Sequence, residues 1–440
     1  MPSSVVMRSA ETNTGVRLIG LRAPVDARWL LLVPVMLAAM ERAVLAQTPP
    51  PPTNPPPAVS SAPHIVRLPA TGEITNDIYE LNAWYKGYEA FKQQLQTSYD
   101  IQYDMQVSTF TQWGTPHGTP GSVQVLYTPT ITWTPFNDPE IGSGAFTFAF
   151  QQEHYWTRAT AAAQQARMGL LTPPNGQVSN GYEYVQATYA HTLPGAWSWL
   201  SVSVGQYEFD SFDNNQYADS AQTNFINYAL SQNGSQAYAT AGLGAYVQEA
   251  LPGGQFTFAE GYQTSNDVSG ASVTTRGLAA GPYDYFLYAQ WVPAFLPGAT
   301  YSVIWYTQPG VPQFPSGSQG ISFSAVQNFG DKWGLFLRAN NASGAVSPIE
   351  TSLGWGAIYN DPFRHSKLDQ VGLGFFWSKT NFSAIDQPAR KSETGIELYY
   401  NYALFKGLHI APDVQLYINP ALAPTSGPAV MFTLRTTAFF

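Results

Sequence analysis

Residues 408–419 read LHIAPDVQLYIN, and residues 429–440 read AVMFTLRTTAFF. In the first stretch Leu408, Ile410, Pro412, Val414, Leu416 and Ile418 alternate with His409, Asp413, Gln415, Tyr417 and Asn419. In the second, Val430, Phe432, Leu434, Ala438 and Phe440 alternate with Thr433, Arg435 and Thr437. Successive side chains of a strand point to opposite faces, so each stretch is a strand with one apolar and one polar wall. A half-buried strand of a soluble sheet carries the same pattern. Strand length, strand number and the sorting of the connections decide between the two.

Upstream, Tyr99, Ile101, Tyr103, Met105 and Val107 alternate with Asp100, Gln102, Asp104 and Gln106. Further strands are expected at 121–136, 143–155, 182–191, 197–207, 240–250, 253–264, 281–292 and 298–307. Others follow at 320–328, 332–342, 350–359, 367–378, 392–404, 407–418 and 428–440, for sixteen in all. Most have about ten residues or more, enough to cross a bilayer when tilted. Every second connection is short: Leu193-Pro194-Gly195, Leu251-Pro252-Gly253-Gly254, Leu296-Pro297-Gly298, Phe329-Gly330-Asp331 and Phe405-Lys406-Gly407. The others are longer and polar, the longest at 156–181 and 208–239. Outer-membrane barrels sort their connections this way, and closure leaves no unpaired edge in lipid. The expected fold is all-β, a transmembrane antiparallel β-barrel of 16 strands over 98–440, with a short periplasmic helix before it. One position strains this reading. The parity that turns Phe256 and Phe258 toward lipid turns Glu260 there too, which asks for a bulge, an interfacial position or the opposite facing.

The start of the chain sets the compartment. Arg22 and Arg28 precede an apolar run from Trp29 to Met40, then Val44-Leu45-Ala46. That order is a secretory signal peptide, residues 1–46, cleaved after Ala46, and its apolar run is too short to span a bilayer. Residues 47–70 form a proline-rich spacer (TPPPPTNPPPAVSSAP at 48–63), extended and unpacked. In the segment 71–97, Ile78, Leu81, Trp84, Tyr85, Tyr88, Phe91 and Leu95 recur at three- and four-residue steps, marking an amphipathic helix.

Composition excludes several classes. The chain has no cysteine, so disulfides, thiolate metal sites and cysteine nucleophiles are absent. The first 46 residues hold five of the 20 basic and three of the 29 acidic residues; 15 against 26 remain, a net charge of −11. Nothing basic is concentrated enough to follow a phosphate backbone, so nucleic acid is not an expected partner. Only 11% of residues are charged and 14% are aromatic. An ordinary soluble domain is about 25% charged, and the deficit fits an outer wall in lipid. The six histidines lack ligand spacing, and no GxSxG, P-loop or HExxH is present. No metal, cofactor or catalytic residue is expected, and the chain is not read as an enzyme. Glu393 and Glu397 could suggest a glycosidase pair. They lie instead in a lumen row with Tyr399 and Asn401, which fits a wet pore.

Function should lie on that polar wall. Arg338 points inward with Phe336 and Asn340, and parity adds Glu393, Glu397, Tyr399, His409, Asp413, Gln415 and Arg435. Arginine forks, carboxylates, amides and rings together suit a neutral polyhydroxylated solute. The long segment 208–239 adds Asp210, Asp213 and Asn214, and would narrow the lumen by folding inward.

These residues resemble the carbohydrate-selective porin family (OprB-like) over about 197–440, and more faintly over 85–190. The stretches that carry the resemblance are WLSVSVGQYEFDSFDNN (199–215), AQTNFINYALSQN (221–233), GLGAYVQEALPGGQFTFAEGYQTSND (242–267), FGDKWGLFLRANNASG (329–344) and GWGAIYNDPFRHSKLDQVGLGFFW (354–377). Most specific is ETGIELYYNYALFKGLHIAPDVQLYINP (393–420), with Glu393, Glu397, Tyr400, Pro412, Asp413, Gln415, Asn419 and Pro420 in the expected places. The resemblance implies a sixteen-stranded channel for passive diffusion of glucose and similar sugars, and matches Arg338 to the arginine of the family's Phe-x-Arg strand. Gly205-Gln206 departs from the family's Gly-Lys, which removes one basic lumen group.

The expected function is thus a porin in the outer membrane of a Gram-negative-type bacterium, selective for small neutral sugars. The partners are that membrane's lipid and, through Phe440, the outer-membrane assembly machinery; an oligomer stays open. The alternative is a general or cation-preferring pore, which the −11 charge favours. A secreted, soluble β-rich binding protein is the third reading.

Overall fold

A computed structural model describes residues 79–440, apart from 117, 177, 239–240, 311–316 and parts of 266–280. The expected signal peptide and spacer, and the first residues of the expected helix, lie outside the described residues. Helix α1 (Tyr79–Tyr99) stops where Asp100 takes a φ of 53° and its N–H bonds to the Gln96 carbonyl at 3.1 Å. Aspartate is among the few residues that tolerate this left-handed conformation.

Sixteen strands follow. β1 (Ile101–Gly114), β2 (Ser122–Asp138), β3 (Gly142–Tyr155) and β4 (Gly181–Thr192) are long. β5 (Leu200–Tyr207), β6 (Gly242–Ala250), β7 (Phe256–Thr264), β8 (Tyr283–Trp291) and β9 (Ala299–Gln308) make a shorter sector. β10 (Ser318–Phe329), β11 (Trp333–Gly344), β12 (Ile349–Asn360) and β13 (Gln370–Thr380) continue the wall, and β14 (Ser392–Phe405), β15 (Leu408–Tyr417) and β16 (Ala429–Phe439) complete it. Each strand pairs antiparallel with its sequence neighbours, and β16 pairs with β1 to close the barrel. The strands expected from alternation are all present, and the sheet has no free edge to expose in lipid.

Alternation also sets the outer face. Leu335, Leu337, Leu398, Leu416, Phe432 and Leu434 are exposed on it, while Phe336, Arg338, Glu397, Gln415 and Arg435 between them are buried. Across neighbouring strands Trp113 stacks on Phe432 at 6.1 Å and Trp355 on Phe375 at 5.9 Å, pairs that hold register on an apolar surface. Glu260 stays on this face. It pairs with Val247 and Leu287 without a register shift, at the middle of a nine-residue strand. The bulge and the opposite facing are thus not how the strand accommodates it.

The connections are sorted less strictly than the sequence suggests. At the mouth holding α1 and Phe439, most are brief, as at 139–141, 330–332 and 406–407. The exception there is 361–369, which Asp369 ties to the wall through the Ala403 N–H (2.9 Å) and the Tyr400 hydroxyl (2.8 Å). At the opposite mouth 345–348 is itself brief.

The two longest connections, 156–180 and 208–241, fold into the lumen. The first carries α2 (Ala161–Met168), capped by the Thr160 hydroxyl on the Ala163 N–H at 3.4 Å. Gly169 ends α2 at φ 68° and lies so close to Ala423 that a Cβ would collide with it. The second carries α3 (Tyr228–Ser231), capped by Asn227. Their apolar side chains meet the inner wall in two cores. Phe225 lies 5.2 Å from Phe336 and 5.0 Å from Tyr399, and Phe212 lies 4.4 Å from Phe286. Much of the barrel interior is therefore packed like a protein core rather than filled with water.

Candidate functional site

The inward-facing charges of β11, β14 and β16 grip the main chain of these two connections. Glu393 accepts from the N–H groups of Leu171 and Thr172 at 2.8 Å each, and of Ala421 at 3.0 Å. Glu397 accepts from Ile226 at 2.5 Å and Asn227 at 3.0 Å. The guanidiniums do the reverse. Arg435 donates to the carbonyls of Ala221 (2.8 Å), Asn224 (2.5 Å) and Thr223 (3.2 Å), beneath the Tyr399 ring. Arg338 donates to the carbonyls of Ala218 (2.6 Å) and Asp213, and pairs with the Asp213 carboxylate at 3.1 Å. Charge-assisted bonds of this kind are the strong ones, and here they satisfy backbone groups that would otherwise be buried unmet.

The remaining expected site residues divide sharply. Asn340 donates to Ser322, which donates to Asp213. Gln415 holds the Pro174 carbonyl at 2.9 Å, and Tyr399 donates to Gln370. Asp413 lies buried beside Gln415. Arg338, Asn340, Glu393, Glu397, Tyr399, Asp413, Gln415, Arg435 and Asp213 were expected to line an open pore. They face inward as expected, yet each is buried beneath the inserted connections. Most of their polar groups are taken up by loop backbone and neighbouring side chains, although Arg338 Nε and Asp413 Oδ2 find no partner among the described residues.

Asp210 and Asn214 do face open space. They line a cavity of about 200 Å³ between the inner wall of β1–β4 and the near side of 208–222. Glu208, Asp219 and Asp104 bring further carboxylates to it, and Gln106, Thr130, Gln151 and Gln222 bring amides and a hydroxyl. No lysine or arginine lines it among the described residues. Burial in the lumen pushes the Asp210 carboxyl up to about 6, with Arg338 opposing and Asp213 reinforcing the shift. Burial likewise raises Glu208 and Asp219 well above the usual carboxylate range. Asp104 and Gln106 stand on the inward face of β1, and the alternation of that strand is what marks them. The signal was there, but nothing local shows which arc of the wall stays uncovered.

A profile of the carbohydrate-selective porin family, OprB, matches residues 249–440. A porin of Chlamydia pneumoniae named AaxA is 31% identical over 347 residues, which cover 76% of this chain and 78% of that protein. The chain belongs to the OprB family of porins. AaxA of Chlamydia caviae is 31% identical over 318 residues, covering 72% of this chain and 70% of that one. OprB of Pseudomonas putida, solved at high pH, shares the fold with a TM-score of 0.64 at 15% identity, covering 80% of this chain and 97% of that one. OmpF of Salmonella typhi, solved with daunomycin, gives 0.54 at 10% identity over 77% and 97%. This OprB-family chain is an outer-membrane porin, a channel.

Proposed function

We propose that the cavity along β1–β4 is the diffusion path, and that it admits small neutral polyhydroxylated solutes of the glucose class toward the periplasm. The observation that carries this is the composition of the cavity: carboxylates, amides and hydroxyls facing one another across about 200 Å³. Such groups exchange hydrogen bonds with sugar hydroxyls in place of water, and their scatter along the path keeps each contact weak enough to release. The OprB family description supports the same solute class. Purified protein in liposomes tests it by swelling rates for glucose, a disaccharide and size-matched neutral amino acids. Faster entry of glucose than of the matched amino acids is expected; rates ordered by size alone would end the claim of sugar selectivity.

A second reading has its own observation. Asp104, Glu208, Asp210 and Asp219 ring the cavity, while the nearby cations stand behind its lining, Lys92 at 2.7 Å from Asp104 and Arg338 at 3.9 Å from Asp219. A lumen with one sign of charge concentrates ions of the other sign. Under this reading the passage prefers cations and shows no sugar block. Reversal potentials in a salt gradient distinguish it, and a potential near zero would sink it.

A further inference from the structure

Residues 213–227 present two sides. Asn214, Asp219, Ser220 and Gln222 turn toward the cavity. The carbonyls of Asp213, Ala218, Ala221, Thr223 and Asn224 and the N–H groups of Ile226 and Asn227 turn instead to Arg338 on β11, Arg435 on β16 and Glu397 on β14. The cavity-facing side chains thus sit within a residue or two of gripped backbone atoms. We propose that Glu397 and Arg435 are positioning residues that set the aperture of the channel, although neither touches the passing solute. The inference rests on the cavity being the diffusion path.

The chemistry favours two levers acting as one. Glu397, on β14, takes donors; Arg435, on β16, takes acceptors; between them they fix both polarities of one short segment. Thr437 on β16 and Ser108 on β1 tie Gln222 across the closing seam, through its carbonyl at 2.8 Å and its amide at 3.0 Å. A segment held at so many points has one position. With Glu397 or Arg435 removed, the buried backbone groups they satisfied gain most by moving to water, which carries the cavity-facing side chains with them.

The test compares wild type with Glu397→Gln, Glu397→Ala, Arg435→Lys and Arg435→Ala, each first shown to migrate as a folded barrel on unheated gels. Single-channel conductance and the size limit for sugars in liposome swelling are the readouts. Glutamine keeps one acceptor, so E397Q should fall between wild type and E397A. Lysine offers a point charge where the arginine fork reached three carbonyls, so R435K should behave as a partial loss. The expected result is higher and noisier conductance, and a size limit moved from mono- toward disaccharide, graded in that order. Wild-type conductance and size limit in the folded alanine variants would overturn the proposal. Should an alanine variant fail to fold, the E397Q and R435K pair decides on the same two readouts. Sugar selectivity is scored separately: wild type lacking it while the size limit still shifts would sink the sugar reading and leave the positioning role standing.

Discussion

Lys92 on α1 and Asp104 on β1 meet at 2.7 Å, and the same ammonium reaches the Phe440 carbonyl at 3.1 Å. One side chain from the helix therefore touches both strands of the closing seam and a carboxylate that lines the cavity. Tyr85 packs edge-on to Phe405 and Tyr88 to Phe440, while Lys406 pairs with Glu89. Helix α1 is thus fastened to the mouth of the barrel rather than trailing from it.

Lys92→Ala should leave Asp104 without its counter-charge. The pair is partly exposed, so the loss in stability is small, about 1 kcal/mol or less. The electrical effect is larger in consequence: reversal potentials should shift toward cation preference, and Asp104→Asn should shift them the other way. Equal potentials in both variants would show that Asp104 lies off the ion path.

Glu260 gives a prediction of opposite sign to most substitutions. It lies in mid-strand on the lipid face between Val247 and Leu287, and no cation pairs with it among the described residues. Behind β7 the wall is backed by the aromatic core around Phe212 and Phe286, so no wet lumen lies within its reach. Glu260→Leu should stabilise the barrel by on the order of 1 kcal/mol, read as a higher denaturant midpoint in lipid vesicles. A lower midpoint would mean that the carboxylate has a partner in the membrane.

The strands and their facing were legible because both are local. Two-residue alternation at 408–418 or 430–438 needs only its own neighbours, and the structure follows it at Arg338, Glu397, Gln415 and Arg435 alike. What those side chains face is not local. Glu397 meets Ile226 across 171 residues of sequence, and Glu393 meets Leu171 across 222. Nothing in the alternation of β14 reports that a connection from elsewhere comes to rest on it. The polar wall was therefore readable as inward but not as covered. The open arc at Asp104 and Gln106 could emerge only once the cover on the other side was known.

Glu393 tests the other inserted connection. Its carboxylate satisfies three backbone N–H groups, from Leu171, Thr172 and Ala421. Each buried donor left unmet costs about 1–3 kcal/mol, so Glu393→Ala should release 156–180 rather than hold it with empty bonds. Amide hydrogen exchange at Leu171 and Thr172 should rise far more than at strand residues of β2 or β15. Unchanged protection at both amides would show that the α2 packing alone holds the connection.

The acidic lining predicts a pH dependence whose sign follows from burial. Burial raises the Asp210 carboxyl to about 6, against the opposing charge of Arg338, and raises Glu208 and Asp219 as well. A raised carboxyl takes up its proton earlier as pH falls, so negative charge leaves the passage below about pH 6 instead of near the ordinary aspartate value of about 4. Cation preference should therefore decline as pH drops from 7 to 5, and Asp210→Asn should flatten part of that decline. Entry of a neutral sugar has no charge to lose to this titration and should change much less over the same range. The two can be read on one preparation, by reversal potential and by liposome swelling at matched pH. A cation preference that holds constant down to pH 5 would mean that Asp210 stays ionised in the lumen and that water reaches it more freely than its surroundings imply.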